Sequence, residues 1–263
     1  MAYTFCGGDD MALEKTITQV TLDNITEHPQ AICFINSKSE FYQPKVDWLK
    51  KQFQNGLEIK MLYVAGVKRA IRFIEYVPGE FCWRRVDAGG YLFIHCIWTN
   101  GKKFQREGLG RVLLEEAEKR AQGMLGVAVI ASEEAFMADR SIFEANGYEN
   151  ISESGSEQLL VKRFKEGKLP SFNEPKKPLD QYPGITMVYS RQCPWVPRFI
   201  EEVMPVLAEN NLEPTIIELK TSAEAQQSPS LYGTFSLIYE GRILADRYIS
   251  TTRFKNILKK EIA

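Results

Sequence analysis

Histidine is scarce in this sequence, because His28 and His95 are the only two among 263 residues. Two isolated histidines do not build a Cys/His zinc cluster of ordinary spacing, and we expect no bound metal. The five cysteines are odd in number and widely scattered, at positions 6, 33, 82, 96 and 193. This distribution does not favour a secreted disulfide framework.

The sequence also lacks a large net charge and long runs of apolar residues. The formal net charge is −1, which gives no electrostatic reason to expect nucleic acid or an anionic membrane as a partner. No apolar run approaches the roughly 18 residues that a membrane-spanning helix needs, and the first residues do not resemble a secretory signal. We therefore expect a cytoplasmic protein with two globular domains.

The most informative segment joins an expected strand to an expected helix. Residues 91–99 are rich in the aromatic and β-branched side chains of a buried strand, and residues 112–120 carry apolar side chains at helical spacing. Between them runs Gln105-Arg106-Glu107-Gly108-Leu109-Gly110-Arg111. Two glycines one residue apart let the backbone pass close to a ligand, and the free N–H groups of a first helical turn favour phosphate oxygens. The alternative is a strand–helix connection in which glycine only makes a tight turn.

This segment resembles the pyrophosphate loop, (Gln/Arg)-x-x-Gly-x-(Gly/Ala), of the GNAT superfamily of N-acetyltransferases. A second strand is expected at residues 126–131, which completes a β-α-β unit. A helix expected from about Phe136 closes on Gly147 and Tyr148, which is similar to a later motif of the family, and glycine suits the left-handed position that ends a helix. A Rossmann dinucleotide loop fits less well, because its fingerprint is G-x-G-x-x-G at the start of a domain.

The other elements of the first half follow an order similar to that of the GNAT fold. Strands and one helix are expected at residues 16–22, 46–53 (the helix), 57–64, 68–77, 149–153 and 159–164. We expect a flexible leader over residues 1–11 and an acetyltransferase domain over residues 12–165. The resemblance implies an α/β (α+β) fold whose mixed sheet has splayed central strands.

The resemblance also implies where acetyl-CoA binds. In the family the coenzyme fills the wedge between the splayed strands, and backbone N–H groups near the end of the first strand form an oxyanion hole. The residues that the resemblance assigns to this cofactor are Ile97, Trp98, Thr99, Gln105, Arg106, Glu107, Gly108, Leu109, Gly110 and Arg111.

Acetyl transfer to an amine requires the amine to be neutral, and hence a base or a water chain that leads to one. Glu75, on a strand that approaches the cleft, and His95, on the wedge strand, are the predicted catalytic residues. A solvated strand glutamate and a hydrogen-bonded core histidine are the alternatives. Glu133 and Glu134, beyond the next strand, are further candidates for the base.

Two other positions bear on the reaction. Family members often protonate the departing thiolate with a tyrosine, but the matching position holds Phe143, so that Tyr148 or water would have to replace it. In the loop at residues 80–85, Trp83 and Arg84 are predicted to shape an acceptor pocket for a carboxylate-bearing amine, because arginine binds carboxylates with two parallel hydrogen bonds. A packed tryptophan beside solvated arginines is the alternative.

The last third of the chain predicts a second, smaller domain. Residues 166–183 contain four prolines and predict a semi-rigid linker without helix or sheet. Residues 184–263 predict a β-α-β-β-β-α order that resembles a minimal thioredoxin fold, with Cys193 at the start of the first helix. A thiol at a helix N-terminus is acidified, which makes Cys193 a candidate reactive thiol. Val196 replaces the second redox cysteine, so dithiol exchange is not available.

The combination resembles YoaP-type acetyltransferases, which append such a domain to the catalytic one. It implies an acetyl-CoA-dependent N-acetyltransferase that acts by direct transfer on a small amine, amino acid or peptide, as a monomer or homodimer. Two alternatives remain open. One is a non-catalytic acyl-CoA-binding sensor, which Phe143 favours, and the other is a thiol-dependent protein centred on Cys193.

Overall fold

The first sheet has seven strands. The computed structural model describes residues 14–99, 107–134 and 137–262. The strands are β1 Lys15–Val20, β2 Glu58–Val64, β3 Arg72–Pro78, β5 Tyr91–Thr99, β6 Gly126–Ala131, β7 Glu149–Ser154 and β8 Glu157–Arg163. Their order across the sheet is β1-β2-β3-β5-β6-β8-β7. Only the β5–β6 pair is parallel, and the other described neighbours are antiparallel.

Helices cover both faces of this sheet, and each face has its own core. Helix α1 (Tyr42–Gln54) covers one face, where Leu49 belongs to the same buried cluster as Ile59 and Phe93. Helices α2 (Leu109–Arg120) and α3 (Arg140–Glu144) lie on the other face, where Leu113 packs against Ile94. We call the seven-stranded sheet together with α1, α2 and α3 the seven-stranded unit.

A separate four-stranded sheet follows, which with its helices is called the four-stranded unit. Its strands and helices are β10 Ile185–Ser190, α4 Trp195–Glu209, β11 Thr215–Leu219, α5 Ser222–Ala225, β12 Phe235–Tyr239, β13 Arg242–Ala245 and α6 Thr251–Ile257. The strand order is β11-β10-β12-β13, in which only β10 and β11 are parallel. Phe199 of α4 packs edge-on against Phe235 and Phe254 in the core of this unit.

The expected α/β class with a mixed sheet is confirmed, and most element bounds agree with the prediction to within a few residues. Several segments differ. The helix expected at residues 46–53 begins earlier, at Tyr42, and the helix expected from about Phe136, which lies outside the described residues, is described over Arg140–Glu144. The strand expected at residues 68–77 begins only at Arg72, because the chain from Gly66 is still in a turn. The proline-rich segment expected to lack sheet contains β9 (Ser171–Phe172), which pairs with β4 (Val86–Asp87). The thioredoxin-like assignment and the domain boundaries stay predictions.

Candidate active site

The sheet opens between β5 and β6. These two strands pair over four positions, from Tyr91 with Gly126 to Ile94 with Val129. On its other side, β5 pairs Ile94 with Tyr76 and Cys96 with Glu75, so His95 is an extra residue in a β-bulge. A bulge bends a strand and increases its local twist. Beyond Ile94, β5 therefore follows β3 and leaves β6, which produces the splayed central strands predicted from the sequence.

The start of α2 lies on one face of this opening. Gly108 has φ of 64°, in the left-handed region, and a Cβ atom there would meet nothing within 4 Å. A Cβ at Gly110 would instead lie 2.2 Å from Cδ1 of Ile142 on α3, so this glycine permits close helix packing. Among the other residues assigned to the loop, Glu107 and Arg111 are exposed and Leu109 is buried, whereas Gln105 and Arg106 fall outside the described residues.

A cavity of about 340 Å³ lies on the opposite face, between the two units. We call it the Glu75 cavity, since the carboxylate of Glu75 is part of its wall. Its volume falls in the range of roughly 300–1,000 Å³ typical of small-ligand pockets. Six aromatic side chains dominate the lining, and they are Phe34, Phe73, Trp98, Trp195, Tyr232 and Tyr248.

The carboxylate of Glu75 is held by three side chains. The Lys45 ammonium lies 3.0 Å from Oε2, the His95 ring nitrogen Nδ1 lies 3.1 Å from Oε1, and Gln192 Nε2 donates to Oε1 at 3.0 Å. Burial opposes the charge of Glu75, but Lys45 and His95 outweigh it and lower the pKa of Glu75 to about 2. The carboxylate is therefore ionised and a weak base at neutral pH.

The second predicted base, His95, is buried beneath the wall and has both ring nitrogens in hydrogen bonds. The backbone N–H of Trp83 donates to Nε2 at 2.9 Å, so the ring proton is on Nδ1 and points to Glu75. Burial lowers the pKa of His95 to about 4, which keeps the ring neutral at pH 7. This geometry orients Glu75 and leaves no ring lone pair for an incoming amine.

The loop after β3 contributes Arg84 to the wall and Trp83 to the core. Trp83 packs edge-on against Trp48 and donates from Nε1 to Gln52 at 3.0 Å. Arg84 lines the Glu75 cavity, and its guanidinium stacks 4.0 Å from the centre of the Tyr232 ring. The alternative of solvated arginines therefore does not hold for Arg84, which is 1% exposed.

Phe143 and Tyr148 lie away from this cavity. Phe143 is fully buried, and its ring centroid is 5.4 Å from that of Tyr148 in an edge-on contact. Both belong to the core beneath α2, and neither is in the cavity lining. The hydroxyls on the cavity wall belong instead to Tyr232, Thr234 and Tyr248 of the four-stranded unit.

Cysteines from distant parts of the chain meet at the Glu75 cavity, where Cys33, Cys96 and Cys193 are all in the lining as free thiols. Because these cysteines are far apart in the sequence, the sequence analysis did not predict that they would lie close together. Burial raises the pKa of Cys193, although it receives hydrogen bonds from backbone N–H groups at the start of α4. This direction is opposite to the acidification expected for a thiol at a helix start, and a reactive thiol at Cys193 stays a prediction. Burial also raises the pKa of Cys96, to about 12.

One wall of the cavity has an unusual backbone. Cys33 and Phe34 are consecutive non-glycine residues with positive φ, 47° and 57°, a conformation that costs free energy and persists only where the surroundings enforce it. Trp195 of the four-stranded unit donates from Nε1 to the Cys33 carbonyl at 3.1 Å. Neither this contact nor that of Gln192 with Glu75, 117 residues away, has a local sequence signal.

Neither a metal cluster nor a membrane helix occurs in the part of the chain that the structure describes. No group of three or more His, Cys, Asp or Glu side chains there is arranged to hold a metal ion. No helix there is both long and apolar enough to cross a membrane.

The chain is similar to known proteins in both of its units. A family model described as YoaP-like matches residues 215–256. A Bacillus subtilis protein named as the uncharacterized N-acetyltransferase YoaP is 28% identical over an alignment of 249 residues that covers 91% of this chain and 97% of the relative. An alignment of this length necessarily includes both sheets.

Solved structures of acetyltransferases align with part of this chain. A GNAT-family acetyltransferase from Staphylococcus aureus aligns with a TM-score of 0.43 and 13% identity, over 58% of this chain and 100% of its own. The PaiA N-acetyltransferase of Thermoplasma acidophilum, solved in complex with coenzyme A, aligns with a TM-score of 0.40 and 14% identity, over 57% of this chain and 99% of its own.

Proposed function

We propose that this chain is an N-acetyltransferase that transfers an acetyl group from acetyl-CoA directly to a small amine in the Glu75 cavity. The observation that carries the proposal is the opening between β5 and β6 beyond Ile94. The start of α2 lies on one face of the sheet, and Cys96 and Trp98, which follow Ile94 on β5, line the cavity on the other face. Donor and acceptor can then approach from opposite sides of one sheet. The similarity over 91% of the chain to a protein named as an N-acetyltransferase supports this activity.

The residues around the start of α2 fit the coenzyme. The left-handed Gly108 leaves open space, and the first turn of α2 offers N–H groups that suit phosphate oxygens. We assign the pyrophosphate to residues 105–111 and the thioester carbonyl to backbone N–H groups of Ile97, Trp98 or Thr99, which lie beyond the last β5–β6 pair. When bound, acetyl-CoA supplies the activated acetyl group that the amine nitrogen takes up with release of the thiol.

Glu75 orients the amine, and His95 positions Glu75. A carboxylate has about four acceptor sites, of which Lys45, His95 and Gln192 occupy three. One remains for an amine N–H. Because the pKa of Glu75 is about 2, the amine gives up its proton to solvent before it enters the apolar cavity. The pH dependence of kcat/KM should then follow the pKa of each amine rather than that of a protein base.

We assign the two units different roles in the proposed acetyl transfer. We assign residues 12–165 to acetyl transfer, residues 166–183 to a connection, and residues 184–263 to a thioredoxin-like unit that closes the acceptor cavity. Separate sheets support the division, and the parallel β10–β11 pair beside antiparallel β12 and β13 supports the thioredoxin-like order. The four free thiols among the described residues favour a reducing, cytoplasmic location.

The coenzyme assignment is tested with two glycines at opposite ends of α2. Gly108 and Gly123 both have left-handed φ, and a Cβ at either would meet no atom within 4 Å. Gly108→Glu adds bulk and negative charge where phosphates approach, and we expect it to abolish acetyl-CoA binding in calorimetry. Gly123→Glu is the matched control and should retain binding. Equal affinities of the two variants would contradict the assignment.

Thiol release across a panel of amines separates the three functions considered. Release that requires an amine supports acetyl transfer, whereas tight acetyl-CoA binding without release for any amine indicates the sensor. Cys193→Ser should retain most transfer, since attack of an amine on a thioester needs no protein thiol. A collapse of turnover in this variant, with an unchanged circular dichroism spectrum, would indicate the thiol-dependent alternative.

A further inference from the structure

Arg84 is a buried cation on the cavity wall without a carboxylate partner among the described residues. Its guanidinium donates to the carbonyl oxygens of Trp83 at 2.8 Å and of His95 at 2.7 Å, and to Oε1 of Gln192. The face of the Tyr232 ring covers it at 4.0 Å. All of these partners are neutral. A buried charge is ordinarily paired with an opposite charge, because desolvation without a counter-ion is costly.

Gln192 keeps Arg84 apart from the nearby carboxylate. Its amide nitrogen donates to Glu75, and its amide oxygen accepts from Arg84, so it stands between the two charges. The negative charge of Glu75 is already matched by Lys45. With His95 neutral, the cluster of Lys45, Glu75 and Arg84 carries one positive charge that no described side chain compensates.

We propose that Arg84 is the subsite for a carboxylate on the acceptor. The acceptor is then a small amino acid with an aromatic or other apolar side chain. Glu75 orients its amine, Arg84 binds its carboxylate, and the aromatic lining receives its apolar part. This inference deepens the proposed function, on which the assignment of the ligand as an acceptor rests. An incoming carboxylate supplies the missing counter-charge to a buried guanidinium, and charge-assisted hydrogen bonds of this kind are strong.

The four-stranded unit contributes the positioning residues of this subsite. Gln192 directs Arg84 away from Glu75, and the Tyr232 ring fixes the plane of the guanidinium. Arginine binds a carboxylate best when this plane is fixed, because its donors form a rigid fork. The unit therefore selects the acceptor through Arg84.

A pair of ligands without an amine tests the subsite on the full-length wild-type protein. The probes are 3-phenylpropionate and 3-phenylpropanamide, which share the aromatic body and differ in charge. Their dissociation constants are measured by calorimetry in the absence of acetyl-CoA. We expect the carboxylate to bind about tenfold tighter or more, as charge-assisted hydrogen bonds imply. Equal affinities, or no binding of either probe, would overturn the proposal.

Variants at neighbouring arginines assign the effect to one side chain. Arg84→Met should abolish the preference for the carboxylate, and Arg84→Lys should retain part of it through its charge alone. Arg85→Met is the matched control, since Arg85 also reaches the four-stranded unit, at the Pro229 carbonyl, but is outside the cavity lining. A preference that survives in Arg84→Met, or is lost in Arg85→Met, contradicts the proposal.

The two proposals fail in different experiments. Carboxylate binding that depends on Arg84, together with no acetyl transfer to any amine, would retain the subsite and remove the acetyltransferase function. Transfer to amines without any preference for a carboxylate would retain the function and remove the subsite.

Discussion

Lys45 and Glu75 are both withdrawn from water, with 0% and 2% of their side chains exposed. Each buried charge is stabilised by the other, because either one alone would be buried without an opposite charge. Lys45 also stacks 3.9 Å from the centre of the Trp48 ring, which fixes it on α1. The ion pair therefore links α1 to β3, the strand that carries the proposed amine site at Glu75.

We predict that Glu75→Gln lowers the free energy of unfolding by about 3–5 kcal/mol, because it leaves the Lys45 ammonium buried and unpaired. The double variant Lys45→Met/Glu75→Gln removes both charges and should recover much of the loss. Urea unfolding at neutral pH measures both values. A single variant within about 1 kcal/mol of wild type would show that the ammonium finds another partner.

The pH dependence of stability should report on His95. The pKa of His95 is about 4 in the folded protein, against about 6.5 for an unperturbed histidine. Between these values the unfolded chain binds a proton that the folded chain does not, so stability falls as the pH falls from about 6.5 to about 4. Glu75, with a folded pKa of about 2, adds a further loss from about pH 4 downward.

We therefore predict that His95→Gln flattens the curve of unfolding free energy against pH between about pH 6.5 and 4. His28→Gln is the control for loss of a histidine elsewhere in the chain. Urea unfolding over this pH range gives both curves. An unchanged slope in His95→Gln would mean that other groups cause the acid sensitivity.

Among the elements, those with strong local patterns were predictable. The bounds of β6 agree with the expectation because its continuous run of apolar residues begins at Gly126 and ends before the polar Ser132. The bulge at His95 was not predictable, since it depends on the register against β3. The pairing of Ser171 with Asp87 was not predicted for a similar reason. The prolines of the segment indicated a linker without sheet, and the strand with which it pairs is far away in the sequence.

The packing of α2 against α3 supplies a test at the same scale. Gly110→Ala brings a Cβ to within 2.2 Å of Ile142 Cδ1, and overpacking of this kind costs about 1–3 kcal/mol. Ile142→Val removes that carbon atom, and the next atom, Cγ1, lies at 3.5 Å. We predict that Gly110→Ala destabilises the protein and that Ile142→Val rescues it in the double variant, as measured by a double-mutant cycle in urea. Additive free energies would contradict the contact.

At the scale of the whole molecule, the four-stranded unit contributes residues to the core of the seven-stranded unit and to the Glu75 cavity. Trp195 and Tyr232 pack against the core under α1, and Arg85 and Gln226 form hydrogen bonds across the boundary. The candidate site was therefore only half predictable. Glu75, Arg84 and Cys193 were singled out from the sequence, and Trp98 was assigned to the cofactor by the family resemblance. In contrast, Gln192 and Tyr232 reach Glu75 and Arg84 only through the docking of the two units.

This docking predicts that both units unfold together. The strained Cys33–Phe34 segment depends on Trp195, and the Glu75 network depends on Gln192, so neither side keeps its contacts when the other unfolds. We expect one calorimetric transition with equal calorimetric and van't Hoff enthalpies. Acetyl-CoA binds at the seven-stranded unit in our proposal, yet it should raise the melting temperature of the whole transition. In Gly108→Glu that rise should disappear. Two transitions, of which acetyl-CoA moves only one, would show that the units are independent.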